Sequence, residues 1–88
     1  MNYDNVTIGQ NEGEYVIGRD NRYNRYGVQY GKLYKITRKD CSMGFDEIQV
    51  EPADIDERKA NIWYRAWWYR TNSFFFSKEE YLIDLMTK

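Results

Sequence analysis

The run Asp54-Ile55-Asp56-Glu57 sets three carboxylates close together, and it is the first place to test for chemistry. A calcium loop needs oxygen ligands at several alternating positions and a central glycine. This run has neither, so a solvated acidic loop is expected there. Two carboxylates can also work as acid and base. They need a deep cleft that moves their pKa values apart, and a short chain with a filled core has little room for one. The chain contains no histidine, which removes the side chain that titrates nearest neutral pH and the commonest metal ligand. A Ser–His–Asp or Cys–His relay is impossible for the same reason. One cysteine, Cys41, and no histidine cannot supply the four ligands of a structural zinc site. Cys41 lies between Asp40 and Ser42, with Lys39 as its nearby cation, and reads as an incidental surface thiol. Gly27 and Gly31 stand apart and form no phosphate-binding loop. The residues therefore predict a non-enzyme with no catalytic residue, no metal and no cofactor.

Recognition chemistry is better represented. Eight of the fourteen residues from Trp63 to Phe76 are aromatic. Along the first half of that band, Ile62, Tyr64, Ala66 and Trp68 share one strand parity and carry no charge, so they are expected to face a core. Trp63, Arg65, Trp67 and Tyr69 share the other. Arginine between rings suits a boundary, and Trp, Tyr and Arg are the types most enriched at binding hot spots. These four are the expected anchors for a partner. Intramolecular cover or an isologous homodimer are the competing uses of the same face.

A second surface is the segment Arg22-Tyr23-Asn24-Arg25-Tyr26, where two Arg–Tyr pairs lie three residues apart. Rings stack on bases and guanidinium groups meet phosphates, so Arg22, Tyr23, Arg25 and Tyr26 could form a single-strand nucleic-acid platform. A net charge of −1 argues against a dedicated nucleic-acid binder. The expected role is a secondary loop that flanks the main contact. The charges are blocked along the chain. Seven bases and one acid occupy 19–39, then seven acids and no base occupy 40–57. Folded onto different faces they make a dipolar surface; folded side by side they neutralise each other.

At 88 residues the chain is expected to be one domain that buries about 60–65% of its unfolded surface. Sixteen aromatic residues let so short a chain build a core from few side chains. A single cysteine suits a reducing compartment. No apolar run reaches signal-peptide or membrane-spanning length, so a cytoplasmic protein with no membrane role is expected.

The elements that must position these residues read mainly as strands. Residues 1–13, rich in Gly and Asn, are expected to be loosely ordered. Tyr15-Val16-Ile17 is a short strand, and 19–27 a long polar loop. Val28 to Thr37 is a second strand with a bulge or turn at Gly31-Lys32. Phe45 to Glu51 alternates Ile48 and Val50 with polar residues, as a strand with one wet face does. Pro52 closes it. Ile62 to Tyr69 and Phe74 to Phe76 are expected to form a hairpin around Thr71-Asn72-Ser73. Beyond them Ser77 and Glu80 fit a capping box. That box starts either a helix with Tyr81, Leu82 and Leu85 on one face, or a tight turn before a last strand.

Two motifs resemble small SH3-like β-barrel proteins often encoded by bacteriophages. Gly31-Lys32-Leu33-Tyr34-Lys35-Ile36 is similar to the G-K-x-Y-x-V second strand of that group. Phe75-Phe76-Ser77-Lys78-Glu79-Glu80-Tyr81 is similar to its W-F-x-x-x-x-F before the final strand. The resemblance covers about 15 residues, and the long N-terminal lead and the 40–61 insertion depart from it. It implies a mostly β fold, a small antiparallel SH3-like barrel of about five strands with a short C-terminal helix or helical turn. It also implies an accessory protein that works by binding and modulating a host protein in the host cytoplasm.

Overall fold

The computed structural model describes residues 5–19, 28–40, 44, 47–54, 56 and 67–87. Among them are five strands: β1 (Tyr15–Gly18), β2 (Leu33–Asp40), β3 (Glu47–Pro52), β4 (Tyr69–Arg70) and β5 (Phe74–Phe75). A three-residue 3₁₀ helix (Thr71–Ser73) joins β4 to β5, and a helix, α1 (Lys78–Thr87), follows. The protein is mostly β, with one five-stranded sheet in the order β4-β3-β2-β1-β5 and every pairing antiparallel.

Among the described residues the hairpin expected around Thr71-Asn72-Ser73 does not form. β4 pairs with β3 through Ile48↔Tyr69, while β5 pairs with β1 through Ile17↔Phe75. The two strands that flank the turn thus lie at opposite edges of the sheet. Four strand-to-strand steps of ~4.8 Å would separate those edges by roughly 19 Å if the sheet were flat. Three residues of 3₁₀ helix advance only about 6 Å. The sheet must therefore roll until its edges approach, and the rings of Tyr69 and Phe74 do meet edge to face, with centroids 6.0 Å apart. A register shift in β2 between Ile36 and Arg38 supplies a local bend. No ladder joins β4 to β5 among the described residues, so the sheet is rolled but not closed.

Period-two alternation sorts the side chains onto two faces. Val16, Tyr34, Ile36, Ile48, Val50, Tyr69 and Phe74, together with Val28, fill the concave side and are almost wholly buried. On the convex side Ile17, Leu33 and Phe75 form a second, smaller cluster. It is covered by Val6 and Ile8 of the N-terminal segment, by Tyr30, and by Tyr81 of α1. The described part of the N-terminal segment runs beside β1: Tyr15 donates its N–H to the Thr7 carbonyl at 2.8 Å, and Gly9 donates to the Tyr15 carbonyl at 3.1 Å. The second strand starts later than its sequence suggests, at Leu33, because Gly31 turns the chain at φ +79°.

Gly18 sits where β1 meets the 29–32 turn. Its N–H reaches the Lys32 carbonyl at 2.8 Å and its carbonyl accepts from Gly31 N–H at 2.8 Å. A Cβ there would overlap the Gln29 carbonyl oxygen and come 2.9 Å from its carbon. Backbone pinned on both sides cannot yield easily. Gly18→Ala is expected to cost about 2–3 kcal/mol, read as a lower urea midpoint at unchanged m-value.

Candidate protein-binding surface

α1 begins as its capping box predicts. Ser77 Oγ accepts the Glu80 N–H at 3.1 Å, and Glu79 and Glu80 place negative charge on the positive end of the helix dipole. This settles the C-terminus as helix, not strand. Its attachment to the sheet is narrow. The Tyr81 ring meets Phe75 at 5.6 Å and Tyr30 at 5.9 Å, and Tyr30 meets Phe75 edge-on at 6.0 Å. Arg19 lays its guanidinium over the same Phe75 ring, 5.3 Å from its centre. One turn further along α1, the Tyr30 hydroxyl donates to Asp84 Oδ2. That bond to Asp84, with partial desolvation adding to it, pushes the Tyr30 pKa up from 10.0 to about 12. Gly31 lies beneath this contact, and its φ of +79° favours glycine there, with a Cβ also coming 2.9 Å from the Tyr81 hydroxyl.

No residue of α1 is buried. The side that touches the sheet carries Tyr81 and Asp84, and the aliphatic residues stay exposed: Leu82 is 45% exposed, Ile83 61%, Leu85 43% and Met86 84%. An ordinary surface helix turns its apolar stripe to the core. Here the arrangement is inverted. Ile83, with Arg19, Phe75, Glu80, Asp84 and Thr87, also lines an open cleft of about 440 Å³ between α1 and the sheet.

The expected anchors fare differently. Trp63 and Arg65 lie outside the described residues, as do Arg22, Tyr23, Arg25, Tyr26 and Cys41. Tyr69 is not on an outer face: it is 0% exposed in the concave cluster. Trp67 is half-buried and packs against that same cluster. Trp68, expected in the core, is half-buried with the exposed Arg38 guanidinium 5.6 Å from its ring centre. The parity is thus reversed at this end of the band, because β3 sets the register of β4 and a one-residue slip exchanges the faces. Extending the parity count to Arg70, which is exposed, puts a charge on the Trp68 side and gives the correct assignment.

The charge blocks run side by side where they are described. β2 pairs with β3 so that Lys35 stands opposite Glu51, a favourable cross-strand pair. Glu47 lies between Asp40 of β2 and Arg70 of β4. Among the described residues no three His, Cys, Asp or Glu side chains group to hold a metal, and no helix is long and apolar enough to cross a membrane. No family model matches this chain, and neither curated proteins nor solved structures give a significant match.

Two outcomes separate core from anchor. Tyr69→Ala should cost about 3–5 kcal/mol as a truncated core ring, visible as lost folding in circular dichroism rather than a clean loss of binding. The Tyr30–Asp84 bond should make stability fall at high pH. A tyrosine whose folded pKa is raised contributes fully below pH 10.0 and loses that contribution as pH rises through about 12. Wild type should therefore exceed Tyr30→Phe in urea midpoint at pH 9, and the gap should close by pH 12.

Proposed function

We propose that this chain is a non-enzymatic protein-binding protein whose main contact surface is the outward face of α1. The observation that carries the reading is the exposure of Leu82, Ile83, Leu85 and Met86 on one short helix. Exposed apolar patches of a few hundred Å² usually mark interaction sites. The helix is held by its opposite side through the Tyr30–Phe75–Tyr81 rings, so the aliphatic face is presented on a fixed base. Trp68 with Arg38 above it is a second patch of hot-spot chemistry, and Trp63 and Arg65 remain candidate anchors by type.

The finer fold reading is an SH3-like barrel. The strand order and the 3₁₀ link between the two edge strands support it. The role that goes with that resemblance is stoichiometric inhibition or redirection of a host protein by a phage-type accessory protein, in the host cytoplasm. Single-strand nucleic-acid binding by the 19–39 segment is the weaker use of this chain, since Lys35 of that segment faces Glu51 across the ladder.

A double substitution Leu82→Glu/Met86→Glu tests the reading. Both residues are exposed, so the variant should fold within about 0.5 kcal/mol of wild type while losing its co-purifying protein partner. Retention of every partner by this folded variant would sink the proposal. So would binding to single-stranded oligonucleotides that weakens steeply with salt.

A further inference from the structure

We infer, building on that protein-binding reading, that α1 is received by a partner protein carrying a concave apolar groove whose rim is basic. At 100° per residue, Leu85, Leu82, Met86 and Ile83 spread over roughly 160° of the last turns of the helix, while Lys78 and Glu79 project into the same arc from the first turn. All four are exposed. A helix lying along another helix uses a narrower seam, about 100° or less. Such a flat contact leaves Ile83 or Leu85 in water. A groove with a floor and two walls takes the whole arc, in the way amphipathic helices are captured by groove-bearing proteins.

Area points the same way. The ten residues of α1 make a rod about 15 Å long. Two copies paired through this stripe bury well below the ~1,200 Å² at which specific interfaces become stable. A groove raises the buried area without lengthening the helix, because it encloses the sides of the rod as well as its crest. Burial on that scale comes from the partner's shape.

Charge then fixes the rim. Glu79 and Glu80 are exposed in the first turn, whereas Lys78 is half-buried and Asp84 faces Tyr30. On the helical wheel Glu79 falls between Met86 and Ile83, and Glu80 lies just beyond Ile83. Glu79 thus makes the N-terminal end of the arc acidic and Glu80 its edge beyond Ile83 and Thr87, and the part of the groove rim that meets them is expected to present lysine or arginine. An anionic bilayer is a poor occupant for this face, since membrane-surface helices flank their apolar stripe with Lys and Arg. A second copy offers its own exposed Glu79 and Glu80 and no basic wall from α1.

The test uses the full chain with a photo-crosslinking phenylalanine analogue at Met86, irradiated in cells that express it, with the adduct site mapped by mass spectrometry. The expected adduct lies on apolar residues in a concavity bordered by Lys or Arg on one partner protein. With that partner purified, Leu82→Glu should weaken binding roughly tenfold or more. The charge reversal Glu79→Lys/Glu80→Lys should weaken it roughly three- to tenfold and flatten its salt dependence. Adducts on a flat or acid-rimmed surface, on a second copy of this chain, or on lipid overturn the groove. A charge reversal without effect, beside a Leu82→Glu variant that fails to bind, overturns the basic rim and leaves protein binding standing. If both folded variants bind as wild type does, the protein-binding reading of α1 falls with it.

Discussion

Three residues, Thr71-Asn72-Ser73, carry the chain from one edge of the sheet to the other, and most of the fold depends on that short reach. A flat five-stranded sheet cannot be bridged by them, so it curls, and curling creates a concave side deep enough to bury Tyr34, Tyr69 and Phe74 together. Tyr34 and Tyr69 each meet Phe74 near 6.0 Å in edge-to-face geometry. Aromatic pairs of this kind add about 0.5–1.5 kcal/mol beyond their area. Large rings at the seam thus offset the missing ladder between β4 and β5.

The same link aims Phe75 at the opposite side. Because β5 follows at once and alternates, Phe74 enters the concave core while Phe75 joins Ile17 and Leu33 on the convex face. That ring is then shared by Tyr30, Tyr81 and Arg19. It is the platform on which α1 rests. Among the described residues α1 meets the sheet through the Tyr81 ring and the Asp84 carboxylate, while Leu82, Ile83, Leu85 and Met86 stay exposed. A small domain usually hides such side chains; the outward turn of these is the strongest sign of function in the molecule.

Much of the architecture was legible in the residues. The β1 run and the Ser77 cap each rest on local physics, and each appears where expected; Ile48 and Val50 are buried as expected, but Gln49 between them is buried too and Pro52 stays in the ladder, so β3 lacks the wet face its alternation suggests. The edge-to-edge link was not legible, since Thr-Asn-Ser suits a hairpin turn as well as a 3₁₀ helix and only long-range pairing decides between them. Tyr69 was misplaced for a related reason: parity names two faces but not which one is inside, and Ile48 of β3 made that choice. The helix face failed differently. Tyr81, Leu82 and Leu85 do share a side by periodicity, yet Tyr81 and Asp84 are the residues turned to the sheet, while Leu82 and Leu85 stay exposed.

The narrowness of that attachment has a thermodynamic side. Local opening costs least where few apolar contacts are lost, and releasing α1 uncovers the Tyr81 ring while the concave cluster stays intact. The cheapest opening expected of this fold is therefore at α1, ahead of the concave cluster. A partner that pulls on α1 works first against the Tyr30–Phe75–Tyr81 rings and the Tyr30–Asp84 bond, with the concave cluster of the sheet standing behind them.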